Sequence, residues 1–413
     1  MGTRHDAATL ELDELVTDMV AFHGAGVSLP LQPGDGAEVP RQMATGEAGA
    51  IRDLLPGEED RQRLAFLEAW VEQDLIRLGP LLKARESKRV ISWALTHSDS
   101  RLCHEGRILM ANAIGFDLEG PGALLPVDPA SDLASLMVAL EIRGESALTR
   151  QALDLYLRLS GDYEAARLLS LFGSCHALAG ARRSLERHPG SGQDPEHPAL
   201  LAESIGECRR YLALAERIAE FRFPPLVIAV GVSGSGKSRF TSGLVSRLGA
   251  IRVCSDAERR RLHDLPQEMA YPQAETVSPA VDIFSEETTE RTYRHLASCA
   301  GTLLDAGIPA CVDATCLKRW QRDLMRHQAE ARGLPCLMVS FEADNDTLER
   351  RIKKRALRQG ADPAESREVL HVQQANYETF GDEERLHLVH LDTTADNAAE
   401  TLVGFIEEHI KLT

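Results

Sequence analysis

The stretch Pro225-Leu226-Val227-Ile228-Ala229-Val230-Gly231-Val232-Ser233-Gly234-Ser235-Gly236-Lys237-Ser238 decides the reading of this chain. An apolar run from Leu226 to Val230 enters a segment that satisfies G-x-x-x-x-G-K-[ST] without mismatch, and a helical stretch begins near Arg239. Strand, Gly-rich loop and helix are the context in which this pattern cradles phosphate. Glycines let the backbone bend tightly and present successive N–H groups, and the helix N-terminus adds its positive dipole end. On this reading Gly231, Ser233, Gly234, Ser235, Gly236, Lys237, Ser238 and Arg239 hold a nucleotide. Lys237 reaches the β- and γ-phosphates, and the Ser238 hydroxyl ligates Mg2+.

Outward from this loop, short apolar runs alternate with helical stretches. Leu226–Val230, Ile251–Cys254, Ala310–Val312, Leu337–Phe341 and Leu386–Leu391 read as buried strands. Strands separated by helices predict an α/β domain with a parallel sheet and helices on both faces. Ligands in such sheets bind beyond the carboxyl ends of the strands, so the residues at those ends are the candidates for chemistry.

Ser255-Asp256-Ala257-Glu258-Arg259-Arg260-Arg261 follows the second of these strands. Asp256 is placed to orient and deprotonate an attacking hydroxyl, with Arg259 one turn on to hold an anionic part of the acceptor. The same residues also read as an N-cap aspartate opening a basic surface helix. Asp313-Ala314-Thr315 closes the Ala310–Val312 run as a Walker B acid does, and Asp313 would hold magnesium or touch the acceptor; an ordinary strand-end cap has the same pattern. Arg350-Arg351-Ile352-Lys353-Lys354-Arg355-Ala356-Leu357-Arg358 concentrates cations on an acidic chain. Such a run either closes over a transferring phosphoryl group or forms a solvated helix face.

The first half has a different texture. Leu10–His23, Arg61–Leu82, Ser131–Ile142, Ser146–Ser160 and Tyr163–Arg187 have helical periodicity, and the segment from Gly24 to Gly46 reads as a loop. A run of turn formers from His188 to Pro198 is the expected linker, followed by a connecting helix over Leu200–Phe221. The expected division is a mainly α-helical domain over 1–190, linker and connecting helix over 191–221, and the phosphate-loop domain over 222–413.

The 413 residues carry 46 Lys and Arg against 63 Asp and Glu, a net charge of −17. Up to residue 220 there are 22 basic and 34 acidic residues, against 24 and 29 afterwards. A chain this acidic lacks the electrostatic footprint for long nucleic acid or anionic membrane. None of the eight cysteines forms a CxxC pair, which suits reduced core thiols and a cytoplasmic setting. No export signal or apolar run long enough to span a membrane is present in the sequence.

With those motifs in order, the region from about Pro224 to Thr413 resembles the P-loop kinases of the zeta-toxin and polynucleotide-kinase-like group. It is most similar to the ATP-binding half of fused aminoglycoside phosphotransferase-like and ATP-binding proteins. The resemblance implies Mg2+ and ATP at Lys237 and Ser238. It implies an acceptor motif D-x-x-R at Asp256 and Arg259, third-strand contacts from Asp313 and Thr315, and lid arginines at Arg351, Arg355 and Arg358.

The first half resembles a phosphotransferase C-lobe in damaged form, with Leu136–Arg187 similar to its helical tail. The family's catalytic loop C-H-G-D-x-H-x-x-N corresponds to Cys103–Asn112, where Gly106, or Glu105 in a shifted frame, stands at the catalytic aspartate position. Asp128 corresponds to a second-magnesium aspartate, and too few residues precede Leu10 to build an N-lobe. The resemblance therefore implies a helical domain without catalysis, used for docking, regulation or acceptor binding.

Three functions are compatible with these observations. The first is phosphoryl transfer to a small-molecule or nucleotide-like hydroxyl, with a protein partner on the helical domain. The second is an ATP-binding regulatory or toxin-like protein, for which Asp256 and the lid cations would be superfluous. The third is a 5′-hydroxyl polynucleotide kinase, which the acidic charge opposes.

Overall fold

A computed structural model describes residues 2–25, 38–55, 57–88, 103–104, 107–108, 127–186, 197–220, 222–263, 265 and 284–412. The chain divides into two compact units, Met1–Tyr156 with Ala165–Phe221 and Leu157–Glu164 with Arg222–Thr413.

The first unit is helical: α1 (Gly2–Gly24), α2 (Glu38–Leu54), α3 (Glu58–Ala84), α4 (Pro129–Glu141), most of α5 (Ser146–Ser160), α6 (Leu169–Glu186) and α7 (His197–Ala219). A two-residue ladder pairs β1 (Cys103–His104) antiparallel to β2 (Arg107–Ile108). Helix α6 is the centre of this unit. It is buried along most of its length and packs against α2, α4 and α7, so the segment read as a connecting helix lies along α6. Its small residues Gly173, Ala177, Gly180 and Ala181 permit that burial on several sides.

The loop expected over 24–46 is corrected by α2, which begins at Glu38. Pro40 falls in its first turn, where its missing N–H forfeits no helical bond. Met43, Ala44, Ala48 and Ile51 supply a buried face at helical spacing. Gly46 and Gly49 hid that period in the sequence.

Asp128 also has a use other than the one the resemblance implied. It caps α4 by accepting the Ala130 N–H at 2.9 Å and receives Arg85 Nε and Nη2 at 2.8 and 2.9 Å. Both carboxylate oxygens are thus spent in a buried ion pair. Glu105, Gly106 and Leu109–Asn112 of the phosphotransferase-like stretch, and the linker residues 187–196, lie outside the described residues.

The second unit is a five-stranded, all-parallel sheet in the order β4-β5-β3-β6-β7. Its strands are β3 (Leu226–Val230), β4 (Ile251–Cys254), β5 (Ala310–Asp313), β6 (Cys336–Glu342) and β7 (Leu388–Asp392). Each strand follows the sequence expectation, with β7 displaced toward its C-terminus. Pairings Ile228↔Val312 and Ile228↔Met338 fix β3 at the centre.

Alternation along the strands sends Val227, Ala229, Cys311, Val339 and Phe341 to one face, beneath α8 (Lys237–Leu248) and α14 (Ala398–Leu412). The other face is covered by α10 (Glu286–Asp305) and α11 (Arg319–Glu330), which pack on β5, β3 and each other. Because β4 and β5 lie on one side of β3 and β6 and β7 on the other, the chain reverses its direction of growth beside β3. That reversal opens a crevice at the carboxyl ends of the strands.

Candidate active site

The loop between β3 and α8 turns where its glycines permit. Gly236 has φ +98° and caps α8, and Gly234 has φ +81°. A Cβ at Gly234 would lie 3.0 Å from Ile352 Cγ1 and 3.1 Å from the Leu348 carbonyl, both on α12 (Asn345–Gln359). Only glycine lets the loop lie this close to that helix. The Gly231 N–H donates to the Thr315 carbonyl at 3.0 Å, tying the start of the loop to the end of β5.

Lys237 lies across its own loop, with Nζ donating to the Gly231 carbonyl at 2.6 Å and the Val232 carbonyl at 2.9 Å. Burial pulls its pKa down to about 8, against the opposing charges of Asp313 and Asp256; the cation of Arg355 also lowers it. These side chains therefore share one electrostatic neighbourhood.

Asp313, at the end of β5, is buried and accepts the Thr241 hydroxyl at 3.3 Å. Burial raises its pKa, while Lys237 and a hydrogen bond from the Ser238 side chain pull it back. Ser238 and Asp313 are adjacent hard oxygen donors beside the phosphate cradle, which suits a Mg2+ ion.

Asp256 opens α9 (Ser255–Leu262) directly after β4. Its Oδ2 stands 4.0 Å from Arg355 Nη2 on α12, and both side chains are mostly exposed. Arg259 is buried, donates to Thr289 Oγ1 at 3.3 Å and stacks at 5.2 Å over the ring of Phe284. Thr315 shares a hydrogen bond of 3.1 Å with the Tyr293 hydroxyl, which also accepts the Cys316 N–H at 3.1 Å.

The basic run on α12 divides by role. Arg351 braces two loops, donating to the Gly234 carbonyl at 3.2 Å, Thr393 Oγ1 at 3.0 Å and the Thr393 carbonyl at 3.1 Å. Arg355 faces Asp256, and Arg358 is exposed in the last turn. Beside the brace, Arg239, Phe240, Thr347, Arg350, Thr393 and Asp396 line much of a cavity of about 320 Å³.

Four positions escaped the sequence reading. Thr393 follows β7 and was findable from the strand-end rule. Tyr293 sits on the buried face of an ordinary amphipathic helix, and Gln373 on α13 (Pro363–Ala375) accepts the Ser233 N–H at 2.7 Å. Arg322 is wholly buried and donates to the Leu317 carbonyl at 2.9 Å, fixing the chain just beyond Thr315. Neither Gln373 nor Arg322 belongs to a local pattern.

The fold and this loop define the second unit as an α/β domain of the P-loop nucleotide-binding class. Residues 226–380 match the family described as "AAA domain". An uncharacterized protein of Mycobacterium tuberculosis strain H37Rv is 26% identical over 265 residues, 63% of this chain and 50% of the relative, and a Mycobacterium bovis protein matches equally. The chain thus spans about half the length of the curated relatives it matches. A gluconokinase from Sinorhizobium meliloti 1021 is similar at 21% identity with a TM-score of 0.32, over 46% of this chain and 97% of the kinase. The Mycobacterium tuberculosis APS kinase CysC in complex with AMPPNP and APS is similar at 21% identity with a TM-score of 0.34, over 45% and 99%. Among the described residues, no helix is long and apolar enough to cross a membrane.

Proposed function

We propose that the second unit transfers the γ-phosphoryl group of Mg-ATP to a hydroxyl of a small-molecule or nucleotide-like acceptor. The observation that carries this reading is that Asp256, 4.0 Å from Arg355, lies within electrostatic reach of both Lys237 and Asp313. A loop that only sensed nucleotide would need Lys237 and Ser238 but no carboxylate at the end of β4.

Lys237 holds the β- and γ-phosphates, and the cavity beside Arg239 and Thr393 takes the base. Asp256 accepts the proton of the acceptor hydroxyl as its oxygen bonds to the γ-phosphorus and the β–γ bridge breaks, releasing ADP. Arg355, with Arg358 behind it, moves onto the transferring oxygens and stabilises their charge. Arg259 orients an anionic part of the acceptor. Mg2+ held by Ser238 and Asp313 would neutralise charge between the β- and γ-phosphates.

The first unit, on this reading, is a kinase-derived helical domain that has lost catalysis and serves docking or regulation. Its buried Arg85–Asp128 pair supports that reading, since an aspartate spent on structure is withdrawn from metal binding.

The test incubates radiolabelled ATP with pooled sugars, nucleosides, aminoglycosides and 5′-hydroxyl oligonucleotides, beside Lys237→Ala and Asp256→Asn. Label on an acceptor with the unaltered protein, lost in both variants, is the expected result. ATP binding with transfer to none of these pools, unchanged by Asp256→Asn, overturns the proposal in favour of a nucleotide sensor.

A further inference from the structure

On the side of α9 bearing Glu258, away from the Arg355 contact of Asp256, three potential metal ligands meet. Glu258 is fully buried, Cys299 is buried and His295 is partly exposed. His295 and Cys299 are four residues apart on α10, so both side chains project from one face of that helix toward α9. His295 Nε2 lies 2.9 Å from Glu258 Oε2 and 3.5 Å from Cys299 Sγ, and the three donor atoms fall within 4.8 Å of one another.

The His295–Cys299 edge has the length of a zinc tetrahedron's edge; the His295–Glu258 edge, now a hydrogen bond, is about 0.4 Å shorter, and the Glu258–Cys299 edge lies within 4.8 Å. Bonds of about 2.0 Å to nitrogen or oxygen and about 2.3 Å to sulfur place neighbouring N and O donors about 3.3 Å apart and N and S donors about 3.5 Å apart. The other carboxylate oxygen is already occupied. Glu258 Oε1 accepts the Tyr163 hydroxyl at 3.0 Å and a hydrogen bond from Arg261. Outer partners of this kind orient a ligating carboxylate, leaving its second oxygen for the ion. The exposed edge of His295, with 31% of its side chain accessible, supplies an entry path and a place for water as fourth ligand.

We propose that Glu258 Oε2, His295 Nε2 and Cys299 Sγ form a site for a borderline-soft divalent cation of the zinc class. Binding exchanges the thiol proton of Cys299 for the metal and moves the imidazole proton to Nδ1. The ion then clamps α9 to α10. Because Glu258 lies between Asp256 and Arg259 on α9, occupancy fixes the helix that carries both. The site rests on its own geometry and stands whether or not the unit transfers phosphate.

The test uses the full chain, stripped with chelator under reducing conditions and titrated with Co2+. Expected is a thiolate-to-cobalt charge-transfer band that saturates near one ion per chain and is displaced by Zn2+. Cys299→Ser should abolish the band, and His295→Ala should weaken Co2+ binding about tenfold or more. Cys208→Ser, in the helical unit, should leave both unchanged. Circular dichroism establishes that each variant is folded. A folded protein with no band, a band that survives Cys299→Ser, or binding indifferent to His295→Ala overturns the site and leaves the cluster as a hydrogen-bonded network.

Discussion

Arg355 on α12 stands 4.0 Å from Asp256 on α9, bridging the lip of the phosphate-loop crevice with two side chains that are 61% and 79% exposed. A pair this open adds little to stability, so its position is more informative for chemistry than for folding. Asp256→Asn keeps the shape and removes the proposed base. It should lower kcat for phosphoryl transfer by about 10²- to 10⁴-fold, with ATP affinity near that of the unaltered protein. Single-turnover transfer and equilibrium nucleotide binding, measured on the same preparation, check both halves. Undiminished transfer would exclude Asp256 as the base.

Lys237 predicts a pH dependence with opposite signs for stability and binding. Its pKa in the folded chain, about 8, lies below its ordinary value of 10.5. Between those values the folded chain holds fewer protons than the unfolded one, so this group's contribution to stability rises with pH across that window. Phosphate binding needs the ammonium form, and affinity for a fluorescent ATP analogue should fall as pH rises through about 8. Lys237→Met should weaken binding by about 2 kcal/mol or more and flatten the profile. A profile unchanged by the substitution would assign the titration elsewhere.

The sheet was legible because its inner strands β3, β5 and β6 are short, nearly continuous apolar runs, as burial on both faces demands. Only edge strand β7 drifted, since Leu386 is apolar yet 78% exposed and lies outside it. The positions of the loop glycines and Lys237 between β3 and α8, and of Asp256 and Asp313 at strand ends, were legible because they follow from motif spacing and strand boundaries. Its place in a basic run makes Arg351 read as a lid cation. Its partners Gly234 and Thr393 are 117 and 42 residues away, and no local pattern announces a strut between them. The same distance problem hides Gln373, 140 residues from the backbone group it engages.

Arg85 and Asp128 set a test of the helical unit. Both are almost fully buried, and their double hydrogen bond also anchors the N-terminus of α4. Arg85→Ala leaves a buried carboxylate without its counter-charge and should cost about 3–5 kcal/mol. Urea unfolding followed by circular dichroism measures it. Arg85→Met with Asp128→Asn removes both charges while Asn keeps the helix cap, and should recover much of that loss. A neutral Arg85→Ala would mean that this pair is solvated in the folded protein.

Gln373 provides the sharpest check on how the phosphate loop is poised. Its side-chain oxygen accepts the Ser233 N–H at 2.7 Å, a backbone donor in the loop whose N–H groups are expected to meet phosphate. In this arrangement the Gln373 amide competes with a phosphate oxygen for that donor. Gln373→Ala removes the competitor and leaves the N–H open to water, so the ligand no longer displaces a formed bond. The gain should be the net worth of a single neutral hydrogen bond, about 1 kcal/mol or roughly fivefold in affinity. Calorimetric titration of ADP and of a non-hydrolysable ATP analogue reads it directly. Weaker binding in Gln373→Ala would show instead that the amide remains in place and supports the loop when nucleotide is bound.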